Sequence, residues 1–298
     1  METKHRTGLL LGVGAYTLWG LLPLYLKLLH GVPALQVLSH RVLWSVLLLV
    51  GLVLLLRRGR AVMAAARGRT LLLLCASAAL IAVNWLVYIW AVLNGHVLEA
   101  SLGYFLNPIV NVVLGMTVLR ERIGRGQLAA IGLAVAGVAV MSLARGGSLW
   151  IPLALALSFG TYGLIRKMVA IDALGGLTVE TLLLAPLCLA LVLHTDASGQ
   201  GAFGHDRTLD LLLIAAGAIT AVPLLMFASA ARRLRYTTMG LLQYIAPTLQ
   251  FLEAVLLFGE PLRTVELIAF GLIWSGCALY AWHALRSSRE PIPVSAPE

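Results

Sequence analysis

Residues 98–122 read LEASLGYFLNPIVNVVLGMTVLRER, and residues 238–261 read TMGLLQYIAPTLQFLEAVLLFGEP. Laid over each other at an offset of 139 residues, they place Pro108 on Pro247, Asn111 on Gln250 and Glu121 on Glu260. The register continues without a gap through Leu128 on Leu267, Ala130 on Ala269, Gly132 on Gly271 and Gly137 on Gly276. From Glu99 to Leu143 it gives nine identities in forty-five pairs. An echo held at one register over that length marks a duplicated unit of roughly 140 residues. The start of the chain repeats too. AYTLWGLLPLYLKLL at 15–29 matches LALSFGTYGLIRKMV at 155–169, with Trp19 on Phe159, Gly20 on Gly160 and Lys27 on Lys167. Two such units account for nearly all of the 298 residues.

Hydrophobic residues make up 60% of the chain and charged residues 12%, with a mean hydropathy of +0.93. Soluble domains average about 25% charged residues, and a spanning helix needs roughly 20 apolar ones. The chain supplies such runs repeatedly, so the fold class is all-α integral membrane. The net charge of +9 lies in short basic runs between apolar segments, as orientation signals do, and no basic amphipathic helix points to nucleic acid. Cys75, Cys188 and Cys277 fall far apart inside apolar segments, with neither a disulfide framework nor a zinc spacing. METKHRT leads into an apolar run too long for a signal peptide, so it opens a retained first helix.

Apolar runs predict ten helices, at 8–29, 34–56, 70–93, 98–119, 126–144, 149–168, 176–193, 209–230, 236–258 and 264–285. Turn chemistry separates them: HGVP at 30–33, NGH at 94–96, GRG at 124–126, RGG at 145–147, GG at 175–176 and GEP at 259–261. The longest link, 194–208, is polar and Gly-rich, and the proline-rich tail over 287–298 reads as disordered. With the N-terminus in the cytoplasm, inner segments hold seventeen Lys and Arg against four in outer segments. That is the positive-inside pattern, with both termini cytoplasmic. Repeats 1–144 and 145–286 each hold five helices, an odd number, so the second must thread the membrane in the opposite sense. Pro108 and Pro247 both fall about 15–17 Å deep, near the midplane, and are read as helix kinks.

At these residues the chain resembles the EamA family of the drug/metabolite transporter superfamily, in its RarD-type, chloramphenicol-sensitivity branch. The features that carry the resemblance are AYTLWGLLPLYLK, LSHRVLWS, NWLVYIWAV, LEASLGYFLNP, GLLQYIAPTLQF and FGEP. The resemblance implies a ten-helix carrier of two inverted repeats in the cytoplasmic membrane, opening alternately to each side. Many members export metabolites; no substrate is implied.

Arg41 stands out, about 9 Å inside the second helix. An arginine so placed costs about 2.5–3.5 kcal/mol on insertion scales, so it is expected to face a cavity and pair. Glu253 lies at matching depth and Glu99 opens the fourth helix from the same side. The expectation is an Arg41 cluster with one or both on a cavity wall. The competing reading has Arg41 reaching the interface and Glu253 pairing structurally. These are read as the only acids and bases clearly within the spans. Asn84, Asn107 and Gln243 are amides that bind a polar solute or bond a neighbouring helix, and Asn111 and Gln250 are read as packing. Trp19, Tyr88, Tyr104 and Tyr244 lie deeper than a belt position and are candidates for an aromatic pocket. Trp85 and Trp90 default to packing. His40 is either a proton relay or a structural histidine. Lys27 and Lys167 anchor helix ends. Gly132 with Gly137, and Gly271 with Gly276, offer small faces for contact within the fold or between protomers, which leaves a homodimer open. His194, Asp196, His205 and Asp206 are too dispersed for a metal site, and no cofactor is expected.

The first functional reading is secondary transport of a small amphipathic metabolite or drug-like solute, as an exporter. The partners are that solute, the lipid bilayer and a proton or ion gradient. A membrane enzyme is disfavoured by the lack of G-x-x-x-x-G-K, H-E-x-x-H or a Ser, His and Asp set in the spans. A non-transporting scaffold or lipid scramblase is the remaining alternative.

Overall fold

The computed structural model describes residues 2–118, 120, 125–144, 149–231, 233–234 and 242–287. Its elements are all helical: α1 (Glu2–Gly20), α2 (Leu22–Leu28), α3 (Ala34–Leu55), α4 (Gly59–Ala65), α5 (Gly68–Leu93), α6 (Val97–Thr117), α7 (Arg125–Ala144), α8 (Trp150–Met168), α9 (Ala173–Ala197), α10 (Arg207–Ala231), α11 (Ile245–Leu252), a π-helical segment (Glu253–Leu257) and α12 (Thr264–Ser287). The predicted turn at 145–147, Glu121 and residues 288–298 of the tail lie outside the described residues.

Most helix limits fall within a few residues of those the apolar runs predict, because the runs are long and end at turn-forming residues. The differences have local causes. The first predicted helix is two, α1 and α2, parted at Leu21 with Pro23 in the first turn of α2. Proline has no N–H for the preceding turn, so the ladder breaks there. The ninth breaks at Gln243 and Tyr244. Pro247 has no N–H to give the Gln243 carbonyl, so it stands in the first turn of α11 rather than in a bent helix. Pro108 lies inside α6, which runs on through it, and its side chain is outside the described residues. Gly175 and Gly176 belong to the first turn of α9 and not to a link, Asp172 capping that turn by accepting from Gly175 N–H at 3.4 Å. Helix α4 and the extension of α9 to Ala197 were not expected, and the polar link after α9 is shorter for it.

Among the described residues, six helices are long and apolar enough to cross a membrane: Arg6–Leu28, Ala34–Leu55, Gly68–Leu93, Val97–Thr117, Ala173–Ala197 and Arg207–Phe227. Leu128–Met141, Ile245–Leu257 and Thr264–Leu279 are shorter apolar helices. Large leucines point outward, with Leu72 and Leu187 each 73% exposed. Water would not tolerate so much outward apolar surface on a monomer, whereas lipid solvates it. The chain is an integral membrane protein.

The helices pack in a reciprocal scheme. Helix α7 lies along α12, and α3 crosses both α9 and α10; α6 meets α8, α1 meets α10 and α11, and α5 meets α8 and α9. Glycines set the closest approaches. A methyl on Gly137 would meet the Ala269 carbonyl at 2.7 Å, and one on Gly276 would meet the Ala130 carbonyl at 2.7 Å. These two contacts are the same contact shifted by the sequence offset of 139. Gly12 against Leu242 repeats as Gly103 against Pro152, and Gly20 against Leu249 repeats as Gly160 against Val110. Gly132 and Gly271 have no described atom within 4 Å of the missing methyl, so among the described residues neither forms a close contact, and of their two expected roles contact between protomers stays open. Gly137→Leu is therefore expected to destabilise the detergent-solubilised protein by about 1–3 kcal/mol, read as a lower thermal midpoint. Gly132→Ala should leave that midpoint unchanged.

Candidate functional site

Helix α10 comes close to α3 because Gly217 has no side chain; a methyl there would lie 2.6 Å from the Trp44 carbonyl carbon. One turn along each helix, that approach brings Thr220 to Arg41. Arg41 is buried, and its Nε donates to Thr220 Oγ1 at 2.7 Å, while the Thr220 hydroxyl donates to the Ala216 carbonyl at 2.8 Å. The guanidinium carbon lies 4.7 Å from the centre of the Trp85 ring, which therefore acts as a cation–π partner and not as packing alone. Such a contact out of water contributes about 2 kcal/mol. Arg41 Nη1 is buried with no hydrogen-bond partner.

Helices α5 and α6 supply the next layer. Asn84 Nδ2 donates to the Leu155 carbonyl and to Ser158 Oγ, both at 3.0 Å, tying α5 to α8. Its Oδ1 accepts from the Tyr104 hydroxyl at 3.3 Å. The Tyr104 ring lies 5.4 Å from that of Tyr88, whose own hydroxyl is buried without a partner. Asn84, Tyr88 and Tyr104 thus come together, and Arg41 and Trp85 adjoin them.

Other expected members stand apart. Arg41 forms no ion pair with Glu253 or Glu99. Glu253 is buried with both carboxyl oxygens unpartnered. Glu99 lies 3.4 Å from His96 Nδ1, in a cleft of about 390 Å³ shared with Glu260, Arg263 and Glu266. There Glu260 accepts from the Val97 and Leu98 N–H groups at 2.7 and 2.8 Å, closing the start of α6. Burial pushes its carboxyl up from the usual range, against the pull of those two N–H groups, Lys27 and His96. His40 stacks on Phe203 at 5.4 Å. Trp19 joins Tyr16 and Phe227 in a separate aromatic cluster between α1 and α10. Tyr244 stacks on Phe105 at 6.4 Å, and Gln243 is half-buried before α11. Asn107 is buried with Oδ1 unpartnered. Gln250 does pack as expected, donating to the Trp19 carbonyl at 3.1 Å. Trp90 stacks on His96 at 5.5 Å.

A second charged cluster was missed. Glu180 of α9 is fully buried and accepts from Ser77 Oγ at 2.5 Å and from the Tyr162 hydroxyl at 3.3 Å. Arg166 Nη1 is 3.6 Å away, and Arg166 Nη2 donates to the Asp172 carbonyl at 3.2 Å. Arg58 closes the group on Asp172 at 2.9 Å. Gly176 makes the room: a methyl there would overlap the Arg166 guanidinium. The signal was present in the sequence, because the offset of 139 carries Arg41 onto Glu180. Arg41 binds a hydroxyl of α10 and Glu180 a hydroxyl of α5, so the two charges have matching settings and opposite sign.

An all-helical bundle that wears leucine outside and buries charged and aromatic side chains where its helices cross is the build of a membrane transporter. The EamA-like transporter family model matches twice, over residues 6–143 and 145–282. An uncharacterized transporter of Pseudomonas aeruginosa is 47% identical, with 96% of each chain covered. Protein RarD of Escherichia coli is 44% identical over 97% of this chain and 99% of its own. A protein of P. aeruginosa named chloramphenicol-sensitive protein RarD is 35% identical over 95% and 96%. One solved crystal structure shares the fold, at a TM-score of 0.62 and 21% identity over 95% of this chain and 99% of that one. The chain belongs to the EamA-like transporter family.

Breaking a buried ion pair by removing one partner costs about 3–5 kcal/mol. Glu180→Ala is expected to lower the thermal midpoint accordingly. Glu180→Gln, which still accepts from Ser77 and Tyr162, should recover part of the loss.

Proposed function

We propose that the protein is a secondary transporter that exports a small amphipathic metabolite or drug-like solute across the cytoplasmic membrane by alternating access. Ten helices cross the bilayer as two inverted repeats, 1–144 and 145–286, with both termini and the 287–298 tail in the cytoplasm. The double family match and the reciprocal glycine contacts support the repeat. The observation that carries the reading is the set of buried polar groups without partners, on Arg41, Tyr88, Asn107 and Glu253. Each is costly inside an apolar bundle. A polar solute passing between the halves supplies the missing partners.

In this reading Arg41, Asn84, Tyr88 and Tyr104 form the wall that meets the solute, and Glu253, Asn107, Gln243 and Tyr244 line the path on α6 and α11. Glu99 stands at the outer mouth, with Trp19 and His40 behind the wall. Pro108 within α6 and Pro247 in the first turn of α11 each leave a carbonyl without its helical N–H partner, on the two helices that must flex. The Glu180 cluster holds the inner end. The sequence carries no nucleotide-binding motif, so the cycle runs on a proton or ion gradient or as facilitated diffusion. Gly132 and Gly271, whose neighbours stand clear, leave a face for a second protomer.

Counterflow in proteoliposomes tests the reading. Labelled metabolites and antibiotics, chloramphenicol among them because a relative carries its name, are offered to vesicles preloaded with the unlabelled compound. Wild-type protein should exchange at least one of them against its own gradient. Arg41→Ala should reduce that exchange about 10- to 100-fold, the worth of a charged hydrogen bond, in protein that remains folded. Exchange by no compound would sink the carrier reading, and unchanged exchange would remove Arg41 from it.

A further inference from the structure

Glu253 opens the π-helical segment Glu253–Leu257, where the backbone departs from the regular helix of α11. Single-turn π segments are rare and concentrate at functional sites. The carboxyl is 4% exposed, and neither oxygen has a hydrogen-bond partner. A carboxylate so enclosed, without donor or counter-ion, loses several kcal/mol of hydration, and such a group takes a proton instead. Among the described residues nothing gives it a hydrogen bond. Tyr88 of α5 and Arg41 of α3 also carry buried atoms without partners, the Tyr88 hydroxyl and Arg41 Nη1. On the other elements packed nearby, Tyr104 of α6 is engaged by Asn84 and Glu99 lies against His96. Glu260 is held by the start of α6, Cys277 of α12 points to the Phe105 carbonyl, and Lys27 of α2 lies over Phe258.

We propose that Glu253 is the proton-binding site of the transport cycle. The proposal rests on the transporter reading and deepens it by naming the coupling ion. In the conformation seen here Glu253 carries the proton and is neutral, which accounts for a buried carboxyl whose oxygens have no partner. Loss of the proton leaves a carboxylate in need of a donor, and the Tyr88 hydroxyl and Arg41 Nη1 are buried donors without partners. The helix turns toward them at the π segment, where one backbone bond can be exchanged for another. A solute that takes Arg41 competes with that closure, and the competition couples solute to proton.

The test starts with the proton alone and needs no solute. Infrared spectra of purified protein in detergent at neutral pH should show the carbonyl stretch of a protonated carboxyl that is missing from Glu253→Gln and titrates away as the pH is raised. Glu253→Asp, which keeps the carboxyl if the amide variant fails to fold, should retain the band. Identical wild-type and Glu253→Gln spectra would overturn the proposal, as would the absence of any such band. For a compound found by counterflow, wild-type accumulation should follow an imposed pH gradient, and Glu253→Gln should lose that dependence. Wild-type accumulation that ignores the pH gradient would overturn proton coupling at Glu253, while persisting counterflow would leave the transporter reading standing.

Discussion

A charge inside a bundle of apolar helices has to be held by something other than water, and this constraint organises the structure. Arg41 and Glu180 meet it in the same way. Each sits on a helix that crosses the middle of the bundle, and each uses a hydroxyl of the neighbouring helix, Thr220 for Arg41 and Ser77 for Glu180. Each needs a glycine to let that arrangement close, Gly217 at Arg41 and Gly176 at Arg166. The aromatic layer of Trp85, Tyr88 and Tyr104 follows from the first of these charges, since it shields the guanidinium and leaves hydroxyls beside it. Helix packing alone does not demand so many polar atoms in one place. In the proposed reading, the passage of a polar solute does.

Much of this was legible in the sequence. Long apolar runs fixed where most helices begin and end, because burying or solvating twenty apolar residues in lipid leaves few other structures. The offset of 139 residues found the glycine pair on α7 and α12 before any contact was seen. Arg41 was found by its cost, and Glu253 by its depth. Other features were hidden for identifiable reasons. Pro23 and Pro247 each stop a helix, and hydropathy does not register a missing N–H. Glu180 lies seven residues inside α9, near enough to the helix start to read as an end. Trp85 has the composition of a packing residue, and only the crossing of α3 and α5 brings it under Arg41. The expected ion pair of Arg41 with Glu253 failed because depth along two helices does not say which faces they turn to each other.

The ends of the bundle differ in how they are fastened. At one, Glu260 of the second half caps the first turn of α6 through two backbone N–H groups, with His96, Glu99 and Lys27 around it. At the other, Arg166, Asp172 and Arg58 join α8, α9 and the link before α4. Backbone caps and side-chain ion pairs respond differently to salt and to small shifts of a helix. The first depends on one carboxyl meeting one helix start, whereas the second shares its load among several groups.

The opposite signs of Arg41 and Glu180 bear on ancestry. A half-length chain pairing with an upside-down copy of itself would have presented one and the same charge toward both faces of the membrane. Joining the copies into a single polypeptide releases that equality, since each position can then drift alone. On the proposed inverted arrangement, a solute crossing the protein would leave a guanidinium behind and approach a carboxylate, so the two directions of travel would be electrically unlike. On that arrangement the polarity of the route would lie in the residues themselves and would not have to be borrowed from the membrane.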